Sequence, residues 1–461
     1  MNIKHTTDMA RRAFLRRSAA LGITGAIAPW AMQLSMLGEA AAAQASGDDY
    51  KALVCIFLNG GNDYANTLIP YDSAHYGQYA GIRAGIARSQ ESLAATALPP
   101  SSPMADGLQL ALAPEMAALM PVWNNGHLAV QLNVGPLIVP TTLAQYKARS
   151  VPLPPKLFSH NDQVSIWQSG LGEGATQGWG GRMGDLLMSS NGNSVFTCIS
   201  AGGNAVFLAG DTVAQYQIST SGAIAINGIN KTLFGSAVCQ NALRTLITQP
   251  SAELFANEYA RVTQRSIDAQ AMVSTGLAGV TLQTQFNTQN SLAMQLKVVA
   301  QLIAARASLG AKRQVFLVSL GGFDLHDNLL ANHPTLLGRV AEAMRAFYDA
   351  TLELGVASQV TAFTASDFGR TLSSNGDGSD HGWGSHHLVM GGAVQGQRYY
   401  GLAPTIAVNG PDDVGQGRLL PTTSVDQYAA TFATWMGISP SALPLVMPNI
   451  GHFAPTSLGF V

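Results

Sequence analysis

Residues 52–58 form a continuous apolar run that ends at Asn-Gly-Gly. Strands are also predicted at residues 314–320, which end at Gly-Gly, and at 359–364, which are followed by Ala-Ser-Asp. A run that stays apolar throughout, rather than alternating with polar residues, is typical of a strand buried on both faces of a parallel sheet. Two further strands are predicted at residues 127–134 and 388–393. The chain is therefore expected to build a central, mostly parallel sheet.

Helical patterns separate these strands. Apolar residues recur at three- and four-residue spacing in residues 252–269, 292–309, 336–354 and 424–436. Strands that alternate with helices predict a doubly wound α/β fold in which helices flank both faces of the sheet. Ligands of such sheets bind beyond the carboxyl ends of the strands, so the turns that follow the strands are the first place to look for a site.

The amino-terminal segment predicts export. Arg11 and Arg12 are followed by Phe-Leu and two more basic residues, then by an apolar stretch at 19–37 and by small residues suited to cleavage near 41–45. We predict a twin-arginine signal peptide over residues 1–45, an interaction with the twin-arginine translocation machinery, and a periplasmic or secreted protein. An uncleaved amino-terminal anchor is the alternative. No later apolar run is long enough to span a bilayer, and residues 46–461 are predicted to form a single domain.

Charge and cysteine content narrow the function classes. Residues 1–45 hold five basic and two acidic residues, so the remainder carries 20 basic and 25 acidic residues, a net charge near −5. This balance argues against a nucleic-acid-binding protein. Cys55 is expected to be a buried thiol, whereas Cys198 and Cys239 either pair in an oxidising compartment or stay free.

Four clusters of polar residues carry the candidate chemistry, and they lie at 60–66, 321–327, 366–371 and 380–387. Carboxylates and imidazoles that converge at one edge of a sheet can bind a divalent cation, with zinc or manganese favoured by mixed Asp/His ligands and calcium by oxygen ligands. Ordinary turn residues with solvated carboxylates are the alternative. The predicted metal ligands are Asp63, Asp324, His326, Asp367, His381 and His387. Because His386 and His387 are neighbours on a strand, only one of them is expected to face the site.

The sequence resembles a family of twin-arginine-exported proteins, the domain of unknown function 1501, which is related to sulfatases and alkaline phosphatases. The resemblance rests on LNGGNDYANTLIPYD (58–72), LFSHNDQVSIWQSG (157–170), SLGGFDLHDN (319–328), SDFGRTLSSNGDGSDHGWGSHHLVMGGAVQG (366–396) and QGRLLPTTSVDQYAATFATWMG (416–437). It implies an alkaline-phosphatase-like fold and a metal site in which Asp63 and Asp367 match two ligands of the wider superfamily. Phe368 stands where that superfamily has a histidine, which leaves either a single-metal site or one completed by His381.

Two further residues are candidates for catalysis. Ser159 precedes a helical segment and is either the nucleophile or a helix N-cap. Arg370 either binds an oxygen of the substrate anion or forms a structural salt bridge. The resemblance thus implies an exported metal-dependent hydrolase of phosphate or sulfate esters, with a small molecule or a polysaccharide ester as its substrate. The alternative is a catalytically inactive, sulfatase-like envelope protein that binds a ligand or polysaccharide.

Overall fold

The computed structural model describes residues 49–104 and 106–461. The predicted signal peptide at 1–45 lies outside the described residues. In chain order, the strands are β1 Lys51–Leu58, β2 Leu68–Pro70, β3 Ala97–Leu98, β4 Leu110–Leu112, β5 Leu128–Gly135, β6 Cys198–Ser200, β7 Tyr216–Ser219, β8 Gly222–Ala223, β9 Arg313–Leu320, β10 Val360–Ser366, β11 Ser385–Gly391, β12 Tyr399–Tyr400 and β13 Thr423–Ser424.

The main sheet has ten strands in the order β12-β5-β11-β10-β1-β9-β6-β7-β8, with β13 also paired to β5. Strand β1 runs parallel to both β9 and β10, and β6 runs parallel to β9 and β7. Strand β11 is antiparallel to its neighbours β10 and β5. The predicted mostly parallel central sheet is thus confirmed. Strands β2, β3 and β4 form a separate small antiparallel sheet.

The described residues contain eleven α-helices, and several of them flank the main sheet. In chain order they are α1 Ser73–Ile82, α2 Met120–Asn124, α3 Leu143–Ala148, α4 His160–Ser169, α5 Trp179–Leu187, α6 Ala237–Thr248, α7 Leu254–Ala278, α8 Ser291–Ala304, α9 Leu329–Glu353, α10 Val425–Met436 and α11 Leu443–Val446. The four predicted helices correspond to α7, α8, α9 and α10. Among the described residues, no helix is both long and apolar enough to cross a bilayer.

The burial of β1 explains its unbroken apolar sequence. Its residues alternate between two cores: Val54 and Ile56 pack with residues of α8 and α9 on one face, whereas Cys55 and Phe57 pack with residues of α5 and α10 on the other. Every side chain of the strand after the partly buried Lys51 is therefore removed from water. Burying one such large apolar side chain contributes roughly 1.5–3 kcal/mol. The predicted doubly wound arrangement follows directly from this two-sided burial.

The cysteines are free thiols throughout the described part of the chain. Cys55 and Cys198 are buried, and Cys239 is exposed on α6. The Sγ atom of Cys198 lies 3.7 Å from the carbonyl oxygen of Gly180, in the core beneath α5. Of the two possibilities raised for Cys198 and Cys239, the structure has the unpaired one. Burial raises the pKa of the Cys55 thiol, which keeps it protonated and unreactive.

Candidate metal centre

The carboxyl ends of the three central strands lie level with one another. Leu58 at the end of β1 is in register with Leu320 of β9 and Ser366 of β10. The turns that follow these strands therefore meet at one edge of the sheet. Gly60 adopts a φ of +116°, and a Cβ atom there would collide with the backbone of Phe323 and Asp324. A glycine at this position lets the β1 turn lie directly against the β9 turn.

His160 links two of these turns. It is the first residue of α4, and its Nδ1 atom donates a hydrogen bond to a carboxylate oxygen of Asp367, 2.7 Å away. That bond raises the pKa of His160 above its ordinary value. Its Nε2 atom lies 3.4 Å from an oxygen of Asp324. The Nε2 atom is buried and makes no hydrogen bond to any residue the structure describes. A buried nitrogen without a hydrogen bond carries a desolvation cost that a bound cation would remove.

His326 and His381 approach the other carboxylate oxygen of Asp324. Their Nε2 atoms are 3.1 and 3.3 Å from the same carboxylate oxygen of Asp324, and 2.9 Å from each other. The Nδ1 atom of His381 donates to the carbonyl oxygen of Phe158 at 2.8 Å, and that of His326 to Asp380 at 3.0 Å. Burial lowers the pKa of His381, which favours its neutral, ligating form.

The donor atoms fit a divalent cation. One ligand atom from each of His160, Asp324 and His381 can be chosen so that all three lie within 4.8 Å of one another, and His326 adjoins two of them. Bonds of about 2.0–2.2 Å to a common ion require this kind of spacing. Three imidazoles and one carboxylate suit zinc or a similar transition ion better than calcium, which prefers oxygen ligands.

A second layer of oxygens fixes the rings. Asp367 holds His160, Asp380 holds His326, and the carbonyl of Phe158 holds His381, each through Nδ1. This leaves every Nε2 atom turned toward the centre. Metal-ligating histidines characteristically donate their other ring nitrogen to a carboxylate or a carbonyl in this way. Burial alone would raise the pKa of Asp324, but the Arg370 guanidinium and the neighbouring histidines hold that pKa below its usual range.

Asp63, a predicted ligand, lies in a different network. One of its oxygens accepts hydrogen bonds from the amides of Ala65 and Asn66, and the other is engaged by Arg83 and by the hydroxyl of Ser379. The carboxylate is buried, and both of its oxygens are committed. The expected ligand role of Asp63 is thus corrected to that of an N-cap and a partner of a buried arginine. Asp367, similarly, accepts from the Gly60 amide and from His160 through its two oxygens, so its predicted ligand role is corrected to that of a hydrogen-bond partner of His160.

His387 is the second correction. It stacks on Tyr428 with ring centroids 5.9 Å apart, meets Trp167 edge-on, and is buried in the core on the α10 side of the sheet. Burial lowers the pKa of His387 to about 3. His386 points the other way, toward Tyr64, and its Nδ1 atom accepts the amide proton of Asn133. The two neighbours face opposite sides of the sheet, but both are core residues, and His381 is the histidine of this segment that reaches the cluster.

The two catalytic candidates are placed as follows. Ser159 occupies the N-cap position of α4, but in the described structure its side chain makes no capping bond. Its hydroxyl donates instead to the buried carboxylate of Asp162 at 2.9 Å. Arg370 is fully buried and donates to Asp324 at 2.6 Å and to the carbonyl oxygens of Gly60 and Ser379. Of the two roles considered for Arg370, its contacts are those of the structural salt bridge.

Sequence reasoning missed His160 and Asp380 as members of the centre. His160 is about 160 residues away from Asp324 along the chain. It begins a short helix, and the periodicity of apolar residues there gives no information about metal ligands. The available signal was its place in the Phe-Ser-His-Asn-Asp segment next to the nucleophile candidate. Asp380 directly precedes His381, so its carboxylate was a visible partner for a nearby imidazole.

Comparisons with known proteins place the chain in context. The family model described as "Protein of unknown function (DUF1501)" matches residues 50–445. Among curated proteins, no sequence gives a significant match. A protein of the alkaline phosphatase superfamily from Vibrio parahaemolyticus is similar in structure at 10% identity, with a TM-score of 0.37, covering 90% of this chain and 77% of its own.

Two other solved structures are similar to the same degree. One is Ps i-CgsB in complex with k-i-k-neocarrahexaose, at 11% identity and a TM-score of 0.36, covering 87% of this chain and 77% of its own. The other is the lipoteichoic acid synthase LtaP from Listeria monocytogenes, at 9% identity and a TM-score of 0.34, covering 88% and 78%.

Proposed function

This chain belongs to the DUF1501 family, and from the geometry of its centre we propose that it is an exported, metal-dependent hydrolase of phosphate or sulfate esters. The observation that carries the proposal is the convergence of His160, Asp324 and His381, with His326 beside them and the Nε2 atom of His160 left without a hydrogen bond. A divalent cation bound there would supply Lewis-acid polarisation of an ester oxygen.

Ser159 is the nucleophile of this proposal. It directly precedes His160, and its hydroxyl already donates to Asp162, whose carboxylate is buried and can accept the proton. Attack of the Ser159 oxygen on phosphorus or sulfur would form a new ester bond as the bond to the leaving alcohol breaks, and the proton accepted by Asp162 would pass to the leaving oxygen. Water would then attack the phosphorus or sulfur, the bond to the Ser159 oxygen would break, and a proton from the water would restore the Ser159 hydroxyl. A nucleophile hydrogen-bonded to a general base is the usual arrangement for such covalent catalysis.

The test is a comparison of esters on the purified protein. We expect turnover of a nitrophenyl phosphate, phosphodiester or sulfate that is abolished by a chelator and restored by zinc or manganese. Ser159→Ala and Asp162→Asn should remove turnover while keeping bound metal. Asp327→Asn is a matched control because Asp327 is exposed beside His326 and has no hydrogen bond or ion pair within the described residues. Retention of full activity by Ser159→Ala would remove the serine from the mechanism.

A second candidate function rests on Phe368. Its ring lies 4.7 Å from the rings of both His160 and His381, so an apolar surface covers one side of the centre. This favours a metalloprotein that binds an envelope ligand or polysaccharide without hydrolysing it. Stoichiometric metal combined with no turnover of any ester, in both the wild type and a Phe368→His variant, would favour this function.

A further inference from the structure

Arg418 contacts two residues that border the proposed metal centre, and it lies on the segment that leads into β13. Its Nε atom donates to the carbonyl oxygen of His381 at 2.8 Å, and its guanidinium lies 4.6 Å from the centroid of the Phe158 ring. Phe158 in turn accepts the Nδ1 proton of His381 through its carbonyl. Arg418, Phe158 and His381 are therefore joined by two hydrogen bonds and one stacking contact. These contacts fix the orientation of the Arg418 guanidinium next to His381, a proposed metal ligand.

Arg370 and Arg418 differ in how many of their guanidinium N–H groups already have a hydrogen-bond acceptor. The guanidinium of Arg370 is buried against Asp324 and two backbone carbonyls. Arg418 is only partly buried. Within residues 49–104 and 106–461, no carboxylate lies within ion-pair distance of Arg418, and its two terminal amino groups donate no hydrogen bond. A fixed, charged fork of donors without an acceptor is suited to a ligand oxygen.

We propose that Arg418 is the anion-binding group of the centre and that it selects esters bearing a tetrahedral phosphate or sulfate. The inference rests on the proposed function, because it places the anion between Arg418 and a metal held by His381 and its neighbours. An uncompensated guanidinium beside a divalent cation is repelled by it, and an oxyanion bound to both relieves that repulsion. Arg418 thereby takes the role that the sequence suggested for Arg370.

Binding of inorganic phosphate and sulfate to the metal-loaded protein, followed by calorimetry, tests the inference. We expect Arg418→Gln to weaken phosphate binding at least tenfold while metal stoichiometry is unchanged. Arg418→Lys should fall in between, because it keeps a charge but loses the planar fork. Arg398→Gln, at an exposed arginine beside β12, is the control and should bind phosphate as the wild type does.

The outcomes separate the two proposals. The role of Arg418 would be overturned if metal-loaded Arg418→Gln bound phosphate with unchanged affinity, or if the metal-loaded wild type bound neither anion. Neither result would contradict the proposed metal centre. A wild type that holds no metal would overturn the proposed function and, with it, this inference. Because Arg418→Lys keeps the stacking cation, it remains informative if Arg418→Gln folds poorly.

An independent observation concerns helices α6 and α7, which pack against each other and present an apolar surface. None of the twelve residues of α6, all of them within the described chain, is buried. Val238 and Leu246 lie eight residues apart, and so on one side of α6, while Phe255 and Tyr259 lie four apart on α7. We call this surface the α6–α7 face; its exposed large apolar side chains are Phe234, Val238, Leu246, Leu254, Phe255 and Tyr259.

The size of the α6–α7 face fits a dimer. Phe234 is 91% exposed and Phe255 is 89% exposed. Three aromatic side chains of about 150–250 Å² each amount to roughly 450–750 Å² before the three aliphatic side chains are added. A typical monomer exposes a largest patch of only about 300–600 Å², whereas a standard interface buries about 800 Å² on each partner.

Charge on the face points to a second copy of this chain as the occupant. α7 carries two acidic residues, Glu258 and Asp268, and two arginines that lie 3.8 and 3.9 Å from Glu258, so its charges sum to zero. A face without a strong net charge can meet its own copy without repulsion, whereas an anionic membrane would require a basic flank. We infer that the protein forms a homodimer through the α6–α7 face, with the apolar residues of the two copies in contact.

Light scattering and thiol labelling test the dimer. The wild type should have twice the mass of the chain, and Leu246→Asp with Phe255→Asp should have the mass of one chain with unchanged metal content. Cys239 is exposed while the other two cysteines are buried, so its reaction with a maleimide reports on this face. We expect slower labelling in the wild type than in the double variant. A monomeric wild type, or a double variant that remains dimeric, would overturn the inference, and vesicle binding by a monomer would assign the face to a membrane.

Discussion

The Nε2 atoms of His326 and His381 lie 2.9 Å apart, and each ring has already committed its Nδ1 atom to an oxygen. Two nitrogen lone pairs that face each other at this distance repel unless a proton or a metal cation lies between them. The adjacent carboxylate of Asp324 and the unbonded Nε2 atom of His160 complete a set of donors around the same point. The metal content of the purified protein distinguishes a protonated histidine pair from a metal centre.

The first prediction concerns the oxygens behind the histidines. Asp367→Asn and Asp380→Asn should each weaken zinc binding by about 10–100-fold, because each removes the carboxylate that orients one imidazole. Asp327→Asn should leave the affinity unchanged. Competition against a chromophoric chelator measures all three. If Asp367→Asn and Asp380→Asn both bound zinc with wild-type affinity, the imidazole rings would be oriented by something other than these carboxylates.

The second prediction concerns the buried pair Asp63–Arg83. Their side chains are 2% and 0% exposed, so Asp63→Ala leaves an uncompensated buried charge and should cost about 3–5 kcal/mol of unfolding free energy. Arg83→Met should cost a similar amount. The double variant should lose less than the two single losses added together. Denaturant titration gives the three values. The folded fraction of Asp63→Ala should still bind metal, and specific loss of metal at full stability would restore Asp63 as a ligand.

The third prediction is a pH dependence of stability. The pKa of His387 is lowered by burial to about 3, whereas in the unfolded chain it is near 6.5. Below pH 6.5 the unfolded state therefore binds a proton that the folded state does not, and stability falls as the pH falls.

His387→Leu should remove this contribution, which is at most about 1.4 kcal/mol per pH unit between pH 6.5 and 3. Urea titrations at pH 7.5, 6 and 5 should show a smaller acid-induced loss of stability than in the wild type. Leu388→Ala, in the same strand, is the control and should destabilise the protein equally at every pH. An identical pH profile for His387→Leu and wild type would mean that His387 is not buried in its neutral form.

The fourth prediction concerns export. Arg11→Lys with Arg12→Lys keeps the charge but removes the arginine pair, so the precursor should remain in the cytoplasm. Arg16→Lys with Arg17→Lys is the matched control and should be exported. Immunoblots of periplasmic and cytoplasmic fractions make the comparison. Normal periplasmic levels of the first variant would show that the protein does not use the twin-arginine route.

The sequence predicted the central sheet and its flanking helices more completely than it predicted the residues of the candidate metal centre. Strand β1 was recognised because both of its faces are buried, which leaves an unbroken apolar run ending at Gly60 and Gly61. The turns after β9 and β10 were recognised by their acidic residues Asp324 and Asp367, which follow predicted strands. His160 was missed because its pairing with Asp367 joins residues far apart in sequence, and nothing local in α4 encodes that contact.

His387 shows that the alternation of side chains along a strand predicts which face of the sheet a residue lies on, but not whether that face is part of the site. The pattern of β11 correctly places His386 and His387 on opposite faces of the sheet, but it does not reveal which residues cover each face. Tyr428 and Trp167 cover the His387 side. Asp63 illustrates the same limit, since its partner Arg83 lies on a neighbouring segment whose position depends on the tertiary fold.

The most direct test of the metal centre is the metal content of the purified protein, determined by mass spectrometry after growth with zinc and manganese. The wild type and His387→Leu should each contain about one equivalent of a divalent transition metal, since one set of four donors binds one ion. His160→Ala with His381→Ala should contain almost none while remaining folded by circular dichroism. A folded wild type without a divalent metal, or a double variant that keeps its full complement, would contradict the account.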